Sequence, residues 1–175
     1  MVQAQSARVE KSMWQAQLGI LGFWVSNECR LADRLSLHSE VGLNGTYEYV
    51  RFLGESYSNL TFMPAAAVEP RWYYNLGRRA DRGATTQYNS ASYISMNIAL
   101  QPSWFYFSTN SRFKPESQLF IGPMWGMRRT HGHFSYELAA GPAYSYSYFK
   151  SDGIRINESN VGIRISARVG LSLGK

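Results

Sequence analysis

An alternating stretch, Leu60–Asn75, constrains the fold of this chain more than any other segment. Its even positions are almost all apolar and end in Trp72 and Tyr74, whereas its odd positions include Glu69 and Arg71. Because successive side chains of a β-strand point to opposite faces, this pattern predicts a strand with one apolar and one polar face. Tryptophan and tyrosine at a strand end are typical of membrane interfaces. We therefore expect the apolar face to meet lipid and the charged face to line an interior.

Six further segments show the same alternation, which predicts seven strands in all. They run approximately over residues 14–28, 35–43, 94–101, 118–128, 133–148 and 161–173. In the first of them the apolar parity changes near Gly22, which indicates a β-bulge at that glycine. Single-chain bacterial barrels have an even number of strands. An eighth strand is therefore expected, either from the N-terminal residues or because one segment contains two strands.

The predicted connections between these strands alternate in length. Tight turns are expected near residues 31–34 and 130, and long loops over Asn44–Asn59 and Pro102–Pro115. Connections of intermediate length are expected over Asn75–Gly83 and Lys150–Gly153. In outer-membrane barrels, long external loops typically alternate with short periplasmic turns. With a periplasmic C-terminus, the long loops of this chain would lie outside the cell.

Composition and charge disfavour several other classes of protein. The longest apolar run, Leu18–Val25, has eight residues, well short of the ~20 that a transmembrane helix needs. The net charge of +6 is dispersed apart from Arg78–Arg82 and Arg128–Arg129, which fall at predicted turns, so no nucleic-acid partner is predicted. Cys29 is the single cysteine, and no internal disulfide can form.

The sequence therefore predicts an all-β fold, an antiparallel transmembrane β-barrel of about eight strands with a polar, plugged interior. Residues 1–12 are predicted to be an N-terminal tail and residues 13–175 the barrel. The small and glutamine-rich start, Met1–Ser6, is typical of the residues around a signal-peptidase site. The expected location is the bacterial outer membrane, with the signal peptide already removed.

Several short motifs stand out along the chain: Gly19–Glu28, Glu40–Gly42, Glu69–Asn75 with Arg78–Arg79, Asn89–Ser90, Pro123–Arg129 and His133–Glu137. Together they resemble those of a family of small outer-membrane β-barrel proteins from Bacteroidetes-type bacteria. The resemblance covers most of the chain and implies the barrel fold, but it implies little about function, because most members are uncharacterised. One departure is the end, Leu171–Lys175, since many outer-membrane proteins end on Phe or Trp.

Charged side chains on the inward faces of the strands form the predicted candidate site. The predicted network comprises Glu28, Glu40, Glu69, Arg71, Arg128, Glu137, Arg164 and Arg168, with His38 and His133 also facing inward. An eight-stranded barrel is filled by its side chains and has no continuous channel, and buried charges must pair. Four Glu against four Arg predict a paired salt-bridge plug rather than a pore.

One motif offers an alternative chemistry. His133, Ser135 and Glu137 share one face of a strand, which brings a base, a nucleophile and a carboxylate together. A His-x-Ser pair on a strand is similar to that of outer-membrane lipid A deacylases. The serine lies between the other two residues, however, and the face points inward rather than toward lipid. His131 and His133 lack nearby carboxylates, so no metal site is predicted.

The expected function is non-enzymatic. We expect a structural or accessory subunit of an outer-membrane assembly, or a surface-binding protein, with no cofactor. The expected partners are outer-membrane lipid and lipopolysaccharide, with further protein partners in a larger complex. The first alternative is a lipid hydrolase that uses His133, Ser135 and Glu137, and the second is a soluble lipocalin-like carrier whose apolar face lines a cavity.

Overall fold

The computed structural model describes residues 8–52, 55–110, 115–151 and 154–173, without the side chains of residues 48, 50, 52, 55–57, 148–151 and 154–157. This part of the chain is all-β. Its nine strands are β1 Ser12–Gly19, β2 Gly22–Ala32, β3 Leu35–Phe52, β4 Glu55–Trp72, β5 Ser92–Gln101, β6 Phe107–Ser108, β7 Ser117–His131, β8 Phe134–Ser151 and β9 Ile154–Leu173. A short helix, α1 Leu76–Asp81, and a 3-10 helix, Gln87–Asn89, lie between β4 and β5.

Eight of these strands are hydrogen-bonded in a closed antiparallel ring. The order is β1, β2, β3, β4, β5, β7, β8 and β9, and β9 returns to pair with β1. The two-residue strand β6 lies outside the ring and pairs with β4 through Thr61 and Ser108. Among the described residues, no helix is long and apolar enough to cross a membrane.

The eighth strand comes from the first predicted segment, which contains two strands. Gly19 pairs with Gly22, and the two-residue loop Ile20–Leu21 joins β1 to β2. Gly22 has φ +143°, a conformation that a side chain would strain. Across the hairpin, Leu18 lies opposite Phe23 on the same face, so the apolar parity changes from even to odd. The prediction of a β-bulge near Gly22 was therefore wrong, and of the two explanations for a missing strand the second holds.

The predicted division into two faces is confirmed along the strands. In β4, Glu69 and Arg71 are buried inside the ring, whereas Val68 and Trp72 lie on its outer surface. In β5, Ser95 is buried while its neighbour Ile94 is exposed. The same alternation holds in the parts of the other ring strands that lie nearer the short turns, whereas residues 158–163 of β9 are all exposed. In those parts the polar face encloses the interior and the apolar face points outward.

Several predicted loops contain regular structure instead. The expected loop Asn44–Asn59 is the far part of a long β3–β4 hairpin, paired from Asn44 with Met63 to Phe52 with Glu55. The expected connection Asn75–Gly83 contains α1, and Pro102–Pro115 contains β6. The pair Asn44–Gly45, a common turn signal, lies inside β3, which is why this half of the hairpin was predicted as a loop. Residues 53–54, 111–114 and 152–153 of the predicted loops lie outside the described residues.

The described end of the expected tail is packed against one end of the ring. Val9 is fully buried and donates its backbone N–H to the carbonyl of Asp33 at 2.9 Å. It forms an apolar cluster with Tyr73, Leu76, Ala91 and Tyr93. Residues 9–11, α1 and the 3-10 helix therefore lie at the end that carries the short turns at residues 33–34 and 132–133, which we call the capped end. Residues 1–7 of the tail lie outside the described residues.

Candidate functional site

In the part of the interior next to the capped end, ion pairs connect three strands. Arg128 of β7 donates from Nη1 to Glu28 Oε2 of β2 at 2.6 Å, and from Nε to Glu137 Oε2 of β8 at 2.8 Å. All three side chains are buried. Glu28 and Glu137 lie on β2 and β8, which are not neighbours in the ring. The Arg128 guanidinium therefore connects opposite parts of the ring wall.

A second guanidinium, that of Arg71 in β4, joins the same carboxylates to a third. Its Nη2 donates to Glu69 Oε2 at 2.7 Å and to Glu137 Oε1 at 2.9 Å, and its Nη1 donates to Glu137 Oε2 at 3.2 Å. Nη1 also lies 3.7 Å from Glu28 Oε2. The guanidinium carbon lies 4.5 Å from the centre of the Tyr93 ring, in the range of a cation–π contact. Arg71 therefore holds three carboxylates and one aromatic face.

Neutral side chains donate the remaining hydrogen bonds to these carboxylates. Glu28 Oε1 accepts from Ser36 at 2.6 Å, from Tyr73 at 2.8 Å and from Asn89 at 2.8 Å. Tyr93 donates to Glu137 Oε1 at 2.9 Å, and Ser95 donates to Glu69 Oε1. Tyr73 follows the last residue of β4, and burial raises the pKa of its hydroxyl far above the usual range, so the hydroxyl is a proton donor at any physiological pH. Asn89 and Tyr73 thereby tie the capped end to the interior.

A second group of charges lies nearer the opposite end of the ring. Arg168 of β9 donates from Nη2 to Glu40 Oε1 of β3 at 3.0 Å and from Nη1 to Glu40 Oε2. Its guanidinium carbon lies 4.2 Å from the centre of the Trp24 ring. His38 connects the two groups, because its Nε2 lies 3.1 Å from Glu40 Oε2 and its Nδ1 lies 3.7 Å from Glu28 Oε2.

These residues form one interior charge cluster, which we define as Glu28, His38, Glu40, Glu69, Arg71, Arg128, Glu137 and Arg168. Four carboxylates face three guanidiniums, and His38 lies between two of the carboxylates. Carboxylates only accept hydrogen bonds, whereas a neutral imidazole has a single N–H. The doubly protonated, positively charged form of His38 can face both Glu28 and Glu40 favourably, and with it the cluster is neutral.

Arg164 is the one member of the predicted network that the structure leaves outside this cluster. It makes no ion pair with the described residues, and its guanidinium carbon instead lies 4.9 Å from the centre of the Phe120 ring. Glu69 is paired within its own strand, because its ionic partner is Arg71. The other predicted members are brought together.

The three residues of the alternative catalytic motif are separated. His133 is exposed in the β7–β8 turn, and its Nδ1 lies 3.1 Å from both the Tyr88 hydroxyl and the Ser172 carbonyl. Ser135 is buried and contacts the Gly170 carbonyl at 3.4 Å. Glu137 is occupied by Arg71, Arg128 and Tyr93. No hydrogen bond between His133 and Ser135 is formed in the described part of the chain, so the serine has no base beside it.

Several contributors to the site carry no charge and were missed from sequence. Tyr73 and Tyr93 hold Glu28 and Glu137, while Asn89 reaches Glu28 from the 3-10 helix. Tyr73 continues the inward parity of β4, so that strand pattern could have identified it. Asn89 has φ +58° and lies in a segment without periodicity, and no sequence pattern indicated its position.

Neither a metal site in the described residues nor a similarity to known proteins indicates a function for this chain. Within residues 8–52, 55–110, 115–151 and 154–173, no group of three or more His, Cys, Asp or Glu side chains is placed to hold a metal ion. Comparison with known proteins gave no match: no family model, no curated protein and no solved structure is significantly similar to this chain.

Proposed function

We propose that the chain is a small outer-membrane β-barrel, plugged by the interior charge cluster, that serves as a non-enzymatic structural or accessory subunit. The observation that carries this proposal is the distribution of side chains around the closed ring. Each ring strand exposes large apolar side chains, among them Leu18, Phe23, Val41, Val68, Ile98, Ile121, Leu138 and Val169. A soluble monomer rarely exposes an apolar patch larger than a few hundred Å², whereas a lipid-facing band requires such a surface.

Aromatic residues at the edge of this band support a membrane interface near the capped end. Trp72, Tyr74 and Trp125 are exposed there on β4 and β7 or directly after them. The Trp125 indole donates to the Tyr74 hydroxyl at 2.9 Å, and the Trp72 and Tyr74 rings lie 6.2 Å apart. Amphipathic rings with a polar tip favour the head-group region of a bilayer. A lipocalin-like carrier is disfavoured, because it would need the apolar face inside.

The interior favours a structural role over transport or catalysis. Arg71 and Arg128, the bulkiest of the fully buried side chains, lie across the middle of the ring and are held by Glu28 and Glu137. A pore of this strand number has no room beside them. Removing any one of these partners leaves a buried charge unpaired, so the cluster is suited to connecting strands rather than to changing state during a reaction.

The proposal is tested by locating the protein and changing one face at a time. We expect the expressed protein in the outer-membrane fraction, resistant to carbonate extraction, with heat-modifiable mobility on gels. Val68→Arg on the outer face should reduce the folded, heat-modifiable fraction, because a basic residue on the lipid face costs about 2–4 kcal/mol at the bilayer midplane. Asp81→Arg, exposed in α1, is the matched control and should behave as the parent protein. A monodisperse monomer without detergent, unaffected by Val68→Arg, would refute the proposal.

A further inference from the structure

The wall of the ring is interrupted at the end opposite the capped end. The β1–β2 hairpin turns at Ile20–Leu21, and its last pairings join Gly22 to Asn44 and Gly19 to Arg168. Beyond these pairings β3 continues to Phe52 and β9 extends back to Ile154. In the described strand pairings these extensions bond only to β4 and β8. A gap two strands wide therefore separates β3 from β9 above the short hairpin.

A cleft of about 560 Å³ lies in this gap. It is lined by consecutive residues of β9, namely Ile163, Arg164, Ile165 and Ser166. Consecutive residues of a strand point to opposite faces of a sheet, so a cavity that touches all four of them meets the strand at its edge. Trp24, whose indole lies inside the ring, also lines the cleft. The cleft thus connects the outer surface with the interior.

The inner side of the cleft carries a guanidinium, that of Arg164, which forms no ion pair in the described part of the chain. Arg168 also lines it, but both of its terminal nitrogens are bound by Glu40. Arg164 has no ionic partner among the described residues, and its contact with the Phe120 ring holds it toward the interior. A guanidinium has five N–H donors and no acceptor, so the group that would complete this site is an anion.

The outer rim of the cleft is unusually apolar. Of the large hydrophobic side chains that the structure describes, the five most exposed are Ile20 at 85%, Ile163 at 81%, Trp104 at 80%, Ile165 at 77% and Val161 at 71%. Ile20, Ile163 and Ile165 line the cleft, and Val161 lies on the same strand. Apolar exposure is therefore concentrated beside Arg164, which has no ion pair with the described side chains.

We propose that this cleft binds an anionic lipid, with the head group on Arg164 and the beginning of an acyl chain against Ile163 and Ile165. An amphiphile matches both parts of the cleft, since the cation lies inside the wall and the apolar rim outside it. The volume lies within the range of about 300–1,000 Å³ typical of ligand sites. The proposal rests on the membrane location proposed above as the source of the lipid.

Quenching of Trp24 by brominated lipid provides a direct test, because this indole lines the cleft from inside the ring. The four outward tryptophans, Trp14, Trp72, Trp104 and Trp125, are replaced by phenylalanine, and the protein is refolded in mixed micelles. Phosphatidylglycerol brominated near the head group should quench Trp24 more than the equivalent phosphatidylcholine at the same mole fraction. Arg164→Gln should remove this difference, whereas Arg164→Lys should retain most of it. Arg78→Gln in exposed α1 removes one positive charge elsewhere and should leave the difference unchanged.

Native mass spectrometry of the parent protein gives a second measurement that needs no tryptophan replacement. We expect retained phosphatidylglycerol in the parent and its loss in Arg164→Gln. Free glycerol 3-phosphate should neither bind nor compete, because it has no acyl chain; equal binding would identify a small-anion site and overturn the lipid proposal. Equal quenching by both lipids in a heat-modifiable, folded protein would also overturn it while leaving the proposed barrel intact. Failure to fold in detergent would instead refute the barrel itself.

Discussion

Arg71 and Glu137 are 66 residues apart in the chain and form a two-point ion pair in the interior of the ring. The Arg71 Nη2 lies 2.9 Å from Glu137 Oε1, and its Nη1 lies 3.2 Å from Glu137 Oε2. Parallel N–H···O bonds of this kind are stronger and more directional than single ones. β4 and β8 are not neighbours in the ring, and the sheet connects them only through the strands between them. The ion pair connects these two strands directly across the interior.

Arg71→Met is expected to lower the unfolding midpoint clearly. The substitution leaves Glu69 and Glu137 with fewer cationic partners, and removing one member of a buried pair costs about 3–5 kcal/mol. Glu69→Gln should cost less, because Arg71 keeps its bonds to Glu137. Val68→Ala on the outer face should barely change the midpoint. The measurement is urea unfolding in lipid vesicles, followed by tryptophan fluorescence.

The order of these three effects is the informative result. If Val68→Ala is the most damaging, the outer face is a packed interior rather than a lipid surface, and the membrane proposal fails with it. If all three variants match the parent protein, the interior charge cluster does not contribute to stability.

Gly126→Ala is expected to destabilise the protein, because a Cβ at this position would overlap the Tyr93 ring. That ring packs on Arg71, and its hydroxyl donates to Glu137. Overpacking of this kind typically costs about 1–3 kcal/mol, and here it also disturbs a hydrogen bond to a buried carboxylate. Thermal unfolding in detergent measures the effect.

Gly162→Ala is the matched control for this prediction. A Cβ on Gly162 has no neighbour within 4 Å, so the same chemical change should leave the unfolding temperature almost unaltered. Equal destabilisation by both variants would show that the displacement of Tyr93 is not responsible.

Ser135→Ala is expected to leave the acylation of lipid A unchanged in cells that express the protein. The Ser135 hydroxyl is buried against the Gly170 carbonyl, and His133 lies in an exposed turn bonded to other groups. Mass spectrometry of extracted lipid A, with and without expression of the parent protein, provides the measurement. Loss of an acyl chain with the parent protein, and its return in Ser135→Ala, would make the chain a lipid hydrolase.

The strand pattern was predictable from sequence wherever apolar and polar residues alternate without interruption. β5 and the half of β4 nearer the capped end follow the prediction residue by residue, because each side chain lies either in the interior or on the outer surface. The β1–β2 hairpin was missed because its two-residue loop, Ile20–Leu21, is itself apolar and contains no Asn-Gly or Asp-Gly signal. The outer part of β3 was missed for the opposite reason, because Asn44–Gly45 is a turn signal that here lies inside a strand.

Alternation along single strands was enough to determine the all-β class, the two faces of the sheet and the inward position of every member of the interior charge cluster. It could not determine which charges meet, because pairing depends on the register between strands and on distance across the ring. Tertiary structure alone places Arg71 on Glu137 and Arg168 on Glu40, and leaves Arg164 without a carboxylate. It also places His133 in a turn, where its ring contacts Tyr88 and Ser172 rather than Ser135, since a turn residue does not keep the direction of the strand that follows it.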